Sequence, residues 1–161
     1  MVLLSDASII IDLEYVNALD HLPKVCECEV LDVVLEECDS PKQPGLVDKI
    51  YNSDIKVIET SMSLLKKAIL FDAKHLSQQD KMIYMYAVEN LRTVLSGDKA
   101  LRNTCKENDI ECHGLIWLMR EFAEKGLVIP EEICKWFPIF RKLGRRLPSD
   151  SITELQAKLG C

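Results

Sequence analysis

The sequence predicts an α/β protein: a short, mainly parallel sheet of about four to five strands in a three-layer α/β/α arrangement, with a helical C-terminal tail. Three observations predict it. Short strand-like apolar runs recur at residues 2–5, 55–58, 94–96 and 110–112. Stretches with apolar residues at helical spacing lie between them. Beyond residue 115 the pattern is helical throughout. Strands alternating with helices imply parallel pairing through crossovers, hence a doubly wound sheet.

Val2 to Ser5 reads as a buried first strand. Residues 7–19 carry Ile10, Ile11, Leu13, Val16 and Leu19 at helical spacing, and His21-Leu22-Pro23 closes that helix. Residues 30–38 read as a second helix, ended by the breaker-rich loop Asp39-Ser40-Pro41-Lys42-Gln43-Pro44-Gly45. Residues 63–71 and 78–92 are helical, the latter with the strongest periodicity in the chain. A helix over 99–107 separates the last two strands. In the tail Trp117, Leu118, Phe122 and Leu127 form one apolar stripe, and a further helix covers 131–143 after the break at Pro130.

The 161 residues are most simply one domain, and 48% hydrophobic with 29% charged residues excludes a disordered chain. No apolar run approaches the roughly 20 residues of a membrane helix. The N-terminus has no basic leader, and Asp6 and Asp12 interrupt its apolar stretch, so the expected compartment is the cytoplasm with no membrane contact. Seven cysteines, an odd number without paired CxxC motifs, give no zinc or disulfide framework. Cys38, Cys105, Cys112 and Cys134 read as small core residues in a reducing compartment.

The net charge of −6 counts against a protein that coats nucleic acid non-specifically. The charge is uneven, however. Between Glu132 and Asp150 there is no acid, while Lys135, Arg141, Lys142, Arg145 and Arg146 lie there. Such a stretch is either a basic rim for a phosphate backbone or an acidic partner, or the solvated face of a helix. His21, His75 and His113 have no Ser or Cys partner at a recognisable spacing, and no glycine-rich phosphate loop exists.

Four acids stand at the edges of apolar patterns: Asp6 after the first strand, Glu37 at the end of 30–38, Asp80 opening 78–92, and Asp98 after 94–96. Isolated carboxylates avoid such places, because burying an unpaired charge is expensive. Asp6 and Asp98 both follow strands, so both belong at the carboxyl edge of a parallel sheet, where ligands bind. At about 100° per residue, Asp80 shares a helix face with Ile83, Ala87 and Leu91. Glu37 lies at the edge of the Val30, Val33 and Val34 face, whereas Glu36 points nearly opposite. Taken singly, each acid also fits an ordinary helix-end or rim charge. If the four meet, their repulsion calls for a cation, and hard oxygen ligands select magnesium or manganese.

These residues carry a resemblance. Asp6-Ala7-Ser8-Ile9-Ile10-Ile11-Asp12-Leu13 resembles the opening of the PIN-domain family. Val34-Leu35-Glu36-Glu37-Cys38-Asp39 is similar to its second acidic motif, Asp80 to Ala87 to its third, and Ser96-Gly97-Asp98-Lys99-Ala100-Leu101-Arg102 to its fourth. Ser96 stands where that family usually has Thr, and its hydroxyl can still bond a carboxylate. Asn103 matches a further acid-or-Asn position by type only. The stretch from His113-Gly114-Leu115 to Leu147-Pro148 resembles the tail of a prokaryotic, VapC-like subgroup.

The resemblance implies residues 1–114 as a catalytic core and 115–161 as a helical extension packed on it. It implies a divalent-metal-dependent endoribonuclease, the toxin of a type II toxin–antitoxin pair, with RNA as substrate, an antitoxin protein as partner and a homodimer as assembly. Asp6, Glu37, Asp80 and Asp98 are then the catalytic metal ligands for Mg2+ or Mn2+, and Ser96 supports them. Lys81, Lys99 and Arg102 flank the acids as candidate phosphate contacts. Tyr84, Trp117, Phe122, Trp136 and Phe137 read as packing or oligomer residues. Two other classes fit the acids: a PIN-like binding module with little nuclease activity, and a phosphoacceptor domain. The second fits worse, because two of the acids come from helices and no lysine follows a late strand.

Overall fold

A computed structural model describes all residues, 1–161. Five strands, β1 (Val2–Ser5), β2 (Glu27–Leu31), β3 (Lys56–Ile58), β4 (Thr93–Leu95) and β5 (Cys112–His113), form one sheet in the order β3-β2-β1-β4-β5. Every pairing is parallel. Helices α1 (Ala7–Tyr15) and α2 (Leu22–Val25) connect β1 to β2. Helices α3 (Leu35–Cys38) and α4 (Leu46–Tyr51) lead to β3, α5 (Met62–Leu70) and α6 (Gln78–Asn90) to β4, and α7 (Lys99–Glu107) to β5. The tail holds α8 (Leu115–Glu124), α9 (Pro130–Lys142) and α10 (Ser149–Leu159). Helices cover the sheet in a three-layer α/β/α fold, and no helix is long and apolar enough to cross a membrane.

β1 is central because its side chains are apolar on both faces: Leu3 and Leu4 are fully buried. From β1 the chain winds outward through β2 to β3, then crosses over to β4 on the other side. Winding therefore reverses between β1 and β4. At such a reversal the two crossovers leave in opposite directions, and a crevice opens at the strands' carboxyl ends.

Two departures from the sequence reading have a clear cause. Residues 30–38 do not form one helix. Val30 and Leu31 end β2, a 3-10 turn spans Asp32–Val34, and only Leu35–Cys38 is α-helical. The β2 strand escapes an apolar-pattern reading because Glu29 sits in it and is buried, neutralised by Arg92 with Nε to Oε2 at 2.9 Å and Nη2 to Oε1 at 3.0 Å. The stripe assigned to α6 also ends sooner. Leu91 takes a left-handed φ of 55° as the helix cap and is exposed. Ile83 and Ala87 are buried as the spacing requires.

The tail joins the same apolar cluster as the sheet. Phe122 and Phe140 are among its largest fully buried side chains, and Trp136 meets Phe122 edge-on at 6.1 Å. Tyr84 is buried and stacks on Phe71 at 4.9 Å. Cys134 is not a core thiol: it is half-buried and bonded to Cys161, which ties the end of α10 to α9. The other cysteines are free; Cys38 and Cys105 are buried as read, whereas Cys112, on the short edge strand β5, is only partly buried. Arg145 Nε donates to the buried Asp12 at 2.6 Å and pins the α9–α10 loop to α1.

Ser77 caps α6 by accepting from the Asp80 backbone N–H at 3.1 Å. Ser77→Ala is expected to cost about 1 kcal/mol of stability, read as a lower urea midpoint with an unchanged slope.

Candidate functional site

Asp6 is the first residue after β1 and the N-cap of α1. Its backbone N–H continues the sheet by donating to the Leu95 carbonyl of β4 at 2.9 Å. Its side chain accepts from the Ile9 N–H at 3.1 Å, closing the first turn of the helix. Asp98 plays the matching part after β4: it is the N-cap of α7 and accepts from the Leu101 N–H at 2.9 Å. Both acids are thus held at helix starts, where aligned peptide dipoles favour negative charge.

Two hydroxyls lace these ends together. Ser96 Oγ donates to the second oxygen of Asp6 and accepts from the Asp98 N–H at 3.0 Å. Ser8 Oγ donates to Asp6 Oδ1 at 2.7 Å and accepts from the Gly97 N–H at 3.1 Å. A Cβ at position 97 would sit 3.2 Å from Ser8 Oγ, so glycine there makes room for this bridge. Ser8 is a site residue that the sequence reading passed over; its only signal was a small hydroxyl residue two places after an acid.

Asp6, Glu37, Asp80 and Asp98 line one cavity of about 240 Å³, together with Ser8 and Ser77. Asp6 is buried, Asp80 half-buried, and Glu37 and Asp98 exposed at the rim. Glu36 lines none of the cavities around the site, as expected, although the continuous helix that argued for Glu37 does not exist. Lys99 and Arg102 line a neighbouring groove beside Asp98, whereas Lys81 faces neither cavity. Asn103 lines that same groove and not the acid cavity.

None of the four carboxylates has a Lys, Arg or His partner within salt-bridge distance. Burial pushes the Asp6 carboxyl up to about 6, against the hydroxyls of Ser96 and Ser8 and the Ile9 N–H, which pull it down; the Asp98 charge adds to the rise. Asp80 is also raised to about 6, first by burial and then by the charges of Asp6 and Asp98. The donor set is all oxygen and carries uncompensated negative charge, which suits a hard divalent cation. Yet no three carboxylates converge as a ready-made ligand cage. If this set held such a cation, ligation would run partly through water, as magnesium tolerates, or follow rotation of the rim carboxylates.

The sequence profile of the family described as PIN domain, DUF3368, matches residues 2–160. Among solved structures, the chain is similar to VapBC2 from Rickettsia felis bound to a DNA fragment from their promoter. The identity is 17%, the TM-score 0.50, and the match covers 71% of this chain and 98% of that one. At that identity the likeness is one of fold. No curated protein matches.

Proposed function

Since this chain belongs to the PIN-domain family, we propose that it is a divalent-metal-dependent endoribonuclease acting in the cytoplasm on RNA phosphodiester bonds. The observation that carries the proposal is the single cavity lined by Asp6, Glu37, Asp80 and Asp98, four acids without a cationic partner. Asp6 and Asp98, fixed by their helix caps, are the principal holders of Mg2+ or Mn2+. Asp80 and Glu37 complete the set, directly or through water. A bound ion here would supply Lewis-acid chemistry, lowering the pKa of water and offsetting charge that builds on the phosphate. Ser96 keeps Asp6 turned toward Asp98, and Ser8 fixes the backbone at Gly97. Residues 1–114 then serve as the catalytic core, with 115–161 packed on it.

The similar solved structure is a VapBC2 complex with promoter DNA. That supports proposing an antitoxin protein as partner; a homodimer is proposed from the family resemblance alone. A second reading is a PIN-like binding module that keeps the pocket and cleaves little. One experiment separates them. Purified protein is expected to cut RNA with manganese and to stop when chelated. Asp80→Asn, with an unchanged circular dichroism spectrum, should lower the rate by about 10²-fold or more. Equal cutting by the two proteins would remove the nuclease reading.

A further inference from the structure

Two further cavities adjoin the acid cluster. One, of about 540 Å³, shares Ser8, Glu37 and Asp98 with it and is walled by α8 and the α9–α10 loop. The other, of about 750 Å³, runs along α7. They meet at Gly97, Asp98, Arg102, Cys112, Arg146 and Pro148, which line both. Their cations are Lys99, Arg102 and Lys106 from α7, Arg120 from α8, and Arg145 and Arg146 from the loop.

The pairing of these cations is informative. Arg145 is engaged by Asp12 and fixes the loop. Lys99, Arg102, Lys106, Arg120 and Arg146 have no carboxylate within salt-bridge distance. Five cations that no carboxylate neutralises therefore line adjoining cavities, in a chain whose acids outnumber its bases 26 to 20. Apart from Asp12, the acids lining the two cavities are Glu37 and Asp98, which belong to the cluster. Arg102 is also placed: its guanidinium lies over Gly114, where an added Cβ would come within 3.3 Å of Nη1. Trp117, Ile116 and Leu147 supply an apolar wall beside the arginines.

We propose that Arg102, Arg120 and Arg146, with Lys99 and Lys106, form a phosphate track that leads single-stranded RNA across the acid cluster, its outer wall built by the C-terminal extension. The inference rests on the nuclease reading of that cluster and assigns its substrate path. Guanidinium forks match phosphate oxygens, and the apolar wall suits unstacked bases. An unpaired strand can turn its phosphates to the cations and its bases to the apolar wall, whereas a duplex keeps its bases paired and stacked inside. An acidic peptide would bring charge to the arginines but no flat bases for the apolar wall and no phosphodiester for the cluster to act on.

The test reads binding alone, so it is separable from cleavage. A fluorescein-labelled single-stranded RNA of ten nucleotides is titrated with the full chain, metal chelated, at several salt concentrations. Arg120→Ala and Arg146→Ala should each weaken binding roughly fivefold and flatten the salt dependence by about 0.7 per lost phosphate contact. Arg146 is exposed, so its replacement does not threaten folding. Arg146→Lys should keep the salt dependence. Lys42→Ala, away from these cavities, should bind as wild type. No binding by the wild type, unchanged binding by both arginine variants, or equal competition by duplex RNA or an oligoglutamate peptide would each overturn the track. Cleavage that persists unchanged in the arginine variants would overturn the track and leave the nuclease reading intact. Normal binding without manganese-dependent cleavage would do the reverse.

Discussion

Asp6→Asn is expected to reduce manganese-dependent RNA cleavage by about 10³-fold while making the metal-free protein more stable at neutral pH. The two effects have one origin. Asp6 is buried among hydroxyls and another acid, and its carboxyl is raised to about 6 from an ordinary 3.8. The folded state therefore binds more protons than the unfolded state between those values, and stability falls as pH rises through that window. Above pH 6 the full cost, on the order of 1 to 3 kcal/mol, is present. Asparagine does not carry it. Its carbonyl can still accept from the Ile9 N–H and from Ser8, so the helix start survives. Thermal unfolding with chelator should show the variant more stable at pH 7.5 and equal to wild type near pH 4. Saturating manganese should reverse the order at pH 7.5, because a ligand at about 100 times its dissociation constant adds about 2.7 kcal/mol to the protein that binds it. A wild-type melting temperature that ignores both pH and manganese would contradict this account.

The second large effect lies at the opposite end of the sheet. Arg92→Ala is expected to cost about 3 kcal/mol, near the lower bound for breaking a buried ion pair, because Arg92 keeps a quarter of its side chain exposed. Glu29, only 5% exposed, would be left charged inside the protein. Arg92 also donates to the Asn90 carbonyl at 2.8 Å, at the α6–β4 turn, so β4 loses an anchor as well. Replacing both partners, Glu29→Leu with Arg92→Leu, should recover most of the loss, since an apolar pair needs no partner charge. Urea unfolding of both variants measures the difference.

The strands β1 and β4 and their acids were legible because each is a short apolar run broken abruptly by a carboxylate. The helix α7, at 99–107, agrees with its reading to the residue. What stayed hidden depended on partners distant in the chain. The strand β2 was not read: Glu29 breaks its apolar run, and the Arg92 that neutralises Glu29 lies 63 residues away. Asp12 looked like a break in an apolar stretch, whereas Arg145 meets it from 133 residues away. Ser8 and Gly97 carry no hydropathy signal, and their bond exists only once β1 and β4 are neighbours. Helices α4 and α10 were not read: one follows a breaker-rich loop and the other follows a proline, and both bury few residues.

Placing β1 at the centre of the sheet also fixes a schedule. During synthesis Asp6 emerges early, but the hydroxyl that orients it belongs to Ser96, 90 residues later. At translation speeds of about 5–20 residues per second the gap is roughly 5 to 20 s. Through that interval β1 has one edge without its neighbour, and no partial product on the ribosome holds Asp6 against Ser96 and Asp98. On the proposed nuclease function, the acid cluster would be incomplete in a nascent chain, and a truncated product ending before β4 would lack Ser96 and Asp98.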